Sequence, residues 1–312
     1  MDKIATREAY GKALVKLGHQ RADVVVLDAD LSKATKTDFF AKEFPDRFFD
    51  VGIAEQNLMG TAAGLALGGK IPFASTFAVF ATGRAFDQIR QSIVYPHVNV
   101  KIAATHAGIT VGEDGASHQA FEDIALMRVL PDMAVIVPAD AVETEQVVMA
   151  AAQFSGPMYI RLGRLAVPVL FDSDYKFELG RAQKLREGKD ATVIACGVMV
   201  SEALQAAEVL AQDGIEVRVV NMSTIKPLDR TAVIEAAKET RFIVTAEEHS
   251  IIGGLGSAVA EVLAEECLVP MARIGMRDTF GESGSPAELM QKYHLTAETI
   301  TATIAGFFQK CD

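Results

Sequence analysis

Residues 46–64 read DRFFDVGIAEQNLMGTAAG, and the fold follows from how that stretch is parsed. Phe48, Phe49 and Val51 form a short apolar run of the kind that ends a buried strand. Gly52 breaks the run, and Ile53–Gly64, rich in Ala, Leu, Met and Gly, reads as a helix. Glu55 then falls in the first helical turn, just past the carboxyl end of a strand. Open α/β sheets bind ligands along that edge. An acidic side chain also suits the positive end of a helix, so for Glu55 read in isolation that ordinary role outweighs a chemical one.

The same alternation extends in both directions. Val24–Leu27, Ile71–Phe73, Val100–Ala104, Met133–Val137 and Met158–Leu162 are continuous apolar runs. Helical patterns at Thr6–Leu17, Ile53–Leu67, Gly83–Ile93, Glu122–Leu130 and Ala141–Gln153 separate most of them. Strands without polar alternation, spaced by helices, predict a mostly parallel sheet covered on both faces. Residues 167–188 carry several charges, Pro168 and two glycines without a helical period, and read as a linker. The rhythm then resumes with strands at Thr192–Cys196, Val217–Asn221, Phe242–Glu247 and Ala272–Ile274. Helices are expected at Val200–Asp213, Asp229–Glu239, Leu255–Glu265 and Ala297–Phe308, with Met222–Pro227 as a loop leading into one of them. The expected architecture is α/β, two doubly wound domains over residues 1–166 and 189–312.

Composition narrows the function. A chain of 312 residues suits about two domains of ~150 residues. A net charge of −11 argues against nucleic acid or an anionic membrane as the main partner. Cys196, Cys267 and Cys311 are far apart and odd in number, which fits reduced thiols rather than disulfides or zinc. The start, MDKIATREAYGKAL, has no apolar signal core, and no apolar run nears the ~18–20 residues that span a bilayer. A soluble, cytoplasmic protein is expected.

Two nucleotide-like motifs fail. Gly64–Lys70 matches the GxxxxGK part of a P-loop, but Ile71 follows, and the stretch lies between a helix and the next strand, the reverse of the required order. Gly253–Gly256 (GGLG) opens a helix without matching G-x-G-x-x-G, and its glycines serve close helix–sheet packing equally well. There is no Gly-x-Ser-x-Gly elbow and no His/Cys set at metal-ligand spacing.

Three constellations remain. Ser75–Phe80 (STFAVF) follows a strand, so Phe77 and Phe80 are either core or a platform for an aromatic ring. Thr105–Gln119 (THAGITVGEDGASHQ) gathers His106, Glu113, Asp114 and His118 among three glycines, with little to serve as core. Such a loop suits proton transfer and hydroxyl recognition. Arg7, Arg161 and Arg164 offer forks that bind phosphate, each weak evidence alone.

Together DRFFDVGIAEQN, STFAVF…AFDQIR, GEDGASHQAFEDIALMR, EEHSIIGGLGSA and DTFGESGSPAEL resemble the C-terminal half of the transketolase family, in order and over nearly the whole chain. The resemblance implies a thiamine diphosphate pyrimidine-binding domain followed by a smaller transketolase C-terminal-type domain. It implies that Glu55 hydrogen-bonds a ring nitrogen of the cofactor's aminopyrimidine and that Phe77 and Phe80 flank the ring. By the same resemblance a two-carbon ketol unit moves between sugar phosphates, as in the pentose phosphate pathway. Asp114 then recognises a donor hydroxyl, His118 shuttles protons, and Arg7, His106 and Arg164 hold the phosphate. Two positions depart from the pattern: Gly83 stands where the family often has a third aromatic, and Ala34 near its phosphate-site serine.

The family's diphosphate-binding domain, with a GDG…N segment holding Mg2+ and diphosphate, has no counterpart in this sequence. The chain therefore resembles the C-terminal subunit of a split transketolase, a hetero-oligomer with an N-terminal subunit, two plus two. Two other enzymes share parts of the pattern. A 1-deoxyxylulose-5-phosphate synthase has the IAEQ and STF features but different spacing after them. A 2-oxoacid dehydrogenase beta subunit has EEH…GGLG, but the two-histidine loop suits a sugar phosphate better. A non-catalytic binding module on this fold is the reading from outside enzymology, and the joint presence of Glu55, His106, Asp114 and His118 speaks against it.

Overall fold

The structure, a computed structural model, describes residues 2–311, with side chains through Gln309; the Cys311 side chain lies outside the described residues. In chain order the strands are β1 (Lys3–Ala5), β2 (Val24–Asp28), β3 (Phe48–Asp50), β4 (Ile71–Ser75), β5 (Lys101–Ala104), β6 (Ala134–Ile136) and β7 (Met158–Arg161). They continue with β8 (Ala166–Pro168), β9 (Gln183–Arg186), β10 (Ala191–Ala195), β11 (Val217–Asn221), β12 (Thr224–Lys226), β13 (Ile243–Ser250) and β14 (Met271–Met276).

One sheet has seven strands in the order β12-β6-β7-β5-β4-β2-β3, and a second has five in the order β14-β13-β10-β11-β9. Pairing is parallel except at β12 and β9, each antiparallel to its neighbour. Every residue of β2, β4, β5 and β10 is buried, which is why these strands are mostly apolar rather than alternating: helices cover both faces.

Register places the site. β2 and β3 align Asp28 with Asp50, β2 and β4 align Asp28 with Ser75, and β5 and β7 align Ala104 with Arg161. The segments that follow, carrying Glu55, Phe77, His106 and Arg164, therefore leave the sheet along one edge. Glu55 opens the helix Glu55–Leu67.

Three local expectations change. Met222–Pro227 is not simply a loop: its residues 224–226 form β12, which pairs with β6 and closes the first sheet with a strand from the chain's second half. Residues 83–93 are not one α-helix; wide π-type turns at Phe80–Arg84 and Ile89–Val94 flank a single α-turn, Phe86–Gln88. There the Thr82 hydroxyl donates to the Ala78 carbonyl at 2.8 Å, the acceptor that an α-turn assigns to the Thr82 amide. The 105–119 loop also holds more core than its composition suggested. Ile109 and Val111 are fully buried, because the second domain packs over the loop.

The segment 167–188 begins in β8, antiparallel to β1, and ends in β9 on the second sheet. Asp140 receives the amides of Leu170 and Phe171 at 2.6 and 2.9 Å. Buried Glu143 takes the Tyr175 hydroxyl at 2.6 Å and the Asn221 amide at 2.9 Å. The apolar core also crosses between the halves, joining Val135, Val137 and Tyr159 to Ile194, Val220 and Leu255.

Candidate active site

Glu55 is 6 % exposed and receives Arg84 Nη1 on Oε1 at 2.8 Å. Arg84 also lies over the Phe80 ring, its guanidinium carbon 4.0 Å from the centroid. Phe80 is near-parallel to Phe77, with centroids 5.6 Å apart. Phe77 in turn stacks on His106 at 3.8 Å. His118 points edge-on to Phe80 at 5.3 Å and to Phe77 at 6.2 Å, and its Nδ1 lies 2.9 Å from Ser117 Oγ. Phe77 is thus buried, stacked on Phe80 and on His106, and Phe80 is partly exposed beside Arg84.

His106 links this pair to the arginines. Arg7 Nη1 approaches His106 Nε2 at 3.3 Å, and a guanidinium only donates. Nε2 must therefore accept, which puts the ring proton on Nδ1, donating to Thr105 Oγ1 at 2.8 Å. Burial first, then the neighbouring charges of Arg7, Arg164 and His118, push the His106 pKa down to about 3. Arg7 is lowered too, by burial and by Arg164. It donates to the Ala34 carbonyl at 2.9 Å, and its buried Nε has no acceptor among the described residues. Arg164 donates to the Val111 carbonyl and to Glu113 at 3.0 Å, and lies 3.9 Å from Asp114. Cationic donors in excess of their acceptors mark a place for an anion.

The neutral tautomer is testable. Nitrogen NMR of ring-labelled protein is expected to show His106 protonated on Nδ1 alone, with no midpoint near the ordinary 6.5. Because the folded pKa is the lower one, the native chain binds fewer protons than the unfolded chain between about 3 and 6.5. The stability contributed by this histidine is present above that window and lost as pH falls through it. A midpoint near 6.5 would exclude the arrangement.

A second buried cluster braces the site. Arg161 was a candidate for phosphate binding, but it is 5 % exposed and is bound to Asp123 at 2.8 Å and to the carbonyls of Ala120 and Glu248. Tyr159 also donates to Asp123, at 2.7 Å. The side chains of Glu247, Glu248 and His249 each fasten a different element. Glu247 accepts the amides of Leu255 and Gly256 at the start of a helix, and burial raises its pKa to about 7. Glu248 accepts the Thr110 amide at 2.6 Å, holding the loop that carries His106 and His118. His249 donates from Nδ1 to the Ser250 carbonyl and accepts the Ala125 amide on Nε2. Glycine is required where these carboxyls sit: a Cβ on Gly108 would lie 2.3 Å from Glu248 Cδ, and one on Gly254 2.0 Å from Glu247 Oε2.

The structure thus strings Glu55, Arg84, Phe80, Phe77, His106 and Arg7 into a chain of direct contacts, with His118 on the aromatic pair and Arg164 beside Asp114. Arg84, which joins Glu55 to Phe80, was missed; after Gly83 it reads as an ordinary surface arginine. Thr35, a neighbour of Ala34, turns inward and donates to Asp28 at 2.7 Å, and it is the Ala34 carbonyl that accepts from Arg7.

Residues 2–169 match the family model for the transketolase pyrimidine-binding domain, and residues 180–300 that for the transketolase C-terminal domain. A Methanocaldococcus jannaschii protein, named provisionally as a transketolase C-terminal section, is 51% identical over 97% of this chain and 96% of its own length. A 6-deoxy-6-sulfo-D-fructose transketolase subunit of Clostridium sp. (strain MSTE9) is 44% identical over 94% of this chain and 91% of its own. Among solved structures, a split-gene transketolase described as an inactive β4 tetramer superposes with a TM-score of 0.92 at 61% identity, covering 97% of this chain and 98% of that one. The chain belongs to the transketolase family.

Proposed function

We propose that this chain is the C-terminal subunit of a thiamine diphosphate-dependent transketolase that moves a two-carbon ketol unit between phosphorylated sugars together with a separate N-terminal subunit. The observation that carries this reading is the continuity of the site: a buried carboxylate and an aromatic wall at one end, an anion-seeking arginine–histidine pair at the other. The names of the relatives, a section, a subunit and a split gene, support the division of labour.

The residues fit the cofactor's aminopyrimidine, because Phe80 and Glu55 already hold a planar cation, the Arg84 guanidinium, between a ring face and a carboxylate. When bound, thiamine diphosphate supplies a nucleophilic carbon and an electron sink for the cleaved carbon–carbon bond. Glu55 holds a proton at the pyrimidine nitrogen in a site where low dielectric strengthens that hydrogen bond. Phe77 and Phe80 orient the ring and exclude water. His118 stands where it can pass a proton to a substrate oxygen, and Asp114 binds a donor hydroxyl. Arg7, His106 and Arg164 bind the phosphate, and Mg2+ and the diphosphate are assigned to the N-terminal subunit. Self-association as two plus two completes the proposed enzyme, in the cytoplasm.

Steady-state kinetics of the reconstituted pair test this assignment. Arg7→Ala removes charge-assisted hydrogen bonds of about 1.5–3 kcal/mol, so KM for a phosphorylated ketose is expected to rise about 10- to 100-fold while an unphosphorylated ketose is barely affected. Equal effects on both would sink the phosphate assignment. The Clostridium relative favours a second substrate, a sulfonated ketose, since a sulfonate presents the same tetrahedral oxygens to the arginines. Running both substrates in one assay separates the two.

A further inference from the structure

The Arg84 side chain does two things at once. It donates to the Glu55 carboxylate at 2.8 Å and lies flat enough over Phe80 to place its guanidinium carbon 4.0 Å from the ring centroid. A guanidinium is planar, cationic and delocalised, and it stacks on aromatic faces while pairing with carboxylates. These are the two contacts that the reading above assigns to the aminopyrimidine ring. One carboxylate and one exposed phenyl face cannot serve both partners fully.

The surroundings allow the side chain to leave. Arg84 is 53% exposed at its side chain, against 7% for Glu55, so water can solvate the guanidinium as soon as it swings out. Gly83 next to it has open space where a Cβ would stand. The backbone at this point is fixed separately, by Gln56 Nε2 donating to the Arg84 carbonyl at 3.3 Å.

We propose that Arg84 is an internal stand-in for the cofactor's ring, latched on Glu55 and Phe80, and that the ring enters by displacing it. The proposal rests on the assignment of Glu55 and Phe80 to the aminopyrimidine. It adds that this chain carries its own competitor for that seat, so cofactor affinity is set partly by the strength of the latch. With the Arg84 end half in water, solvent screens both its ion pair and its cation–π contact, as a latch meant to be opened requires.

Isothermal titration calorimetry of thiamine diphosphate with Mg2+ into the complex of this chain and its N-terminal subunit provides the test. Arg84→Ala and Arg84→Met are both expected to bind about three- to tenfold tighter than wild type. Arg84→Lys, which keeps the charge without the stacking plane, is expected to fall between. Thermal melting of each variant chain reports folding separately, and little change is expected because Arg84 is mostly in water. Unchanged or weaker binding by Arg84→Ala, with normal binding by wild type, would overturn the latch alone and make Arg84 a support for Glu55. Absence of binding by the wild-type complex would overturn the cofactor assignment and the latch with it.

Discussion

Glu55→Ala in the reconstituted enzyme is expected to lower kcat by about 10²–10⁴, the usual contribution of a positioned acid–base group. Glu55 begins its helix at the sheet edge and is buried, so its carboxyl acts where water competes poorly for its hydrogen bonds. Glu55→Gln separates two roles. The amide keeps the size and one acceptor oxygen but cannot exchange a proton with a ring nitrogen, so kcat should fall nearly as far as in the alanine variant. Calorimetric affinity for the cofactor should change much less, because the proposed stacking on Phe77 and Phe80 does not involve the carboxyl. A glutamine variant with near wild-type turnover would show that Glu55 only caps its helix.

The largest loss of stability is expected at Asp123. Its carboxylate is fully buried, held ionised below its ordinary value by Arg161, His249 and Tyr159 against the cost of burial, and is the anchor on which Arg161 turns. Asp123→Ala removes the hydrogen-bonded counterion of a buried guanidinium and leaves it only the Glu248 carboxylate at 3.9 Å, and breaking such a buried pair costs about 3–5 kcal/mol. Thermal melting should move down by roughly 5–15 °C. The damage should also reach the site, because Arg161 holds the Ala120 and Glu248 carbonyls while Glu248 holds Thr110. Arg161→Met combined with Asp123→Ala should recover part of the loss, since it removes the stranded guanidinium; the recovery is partial because Glu248 loses its neighbouring cation. A double variant no better than the single one would point to packing rather than charge.

Strand positions and site geometry were readable to different depths. The buried strands announce themselves because both faces are covered: VVVLD and IPFAS carry no alternation to confuse with a solvent-facing strand. The turn into the helix at Glu55 is equally legible, since glycine and a helix-forming run meet there. β12 is not, for it has three residues and gains its identity only from pairing with β6, far away in sequence. Arg161 and Arg164 show the same limit in side chains. Both stand in YIRLGR, but Arg161 ends β7 and turns into the buried cluster, whereas Arg164 lies beyond the strand and meets Glu113. Local sequence cannot separate them, because the deciding partner, Asp123, is supplied by the tertiary fold. The EEH run was legible only by family resemblance. Its physical roles, three side chains fastening a helix, a loop and a neighbouring domain, become clear once β13 is seen beside that loop.

The proposed chemistry needs two different chains, with Glu55, the Phe77–Phe80 pair and the arginines Arg7 and Arg164 supplied by this one. Ketol transfer from xylulose 5-phosphate to ribose 5-phosphate, with thiamine diphosphate and Mg2+, tests it most directly when this chain is assayed alone and with its N-terminal subunit. Turnover by the pair and none by either chain alone is the predicted result. Turnover by this chain alone would contradict the claim.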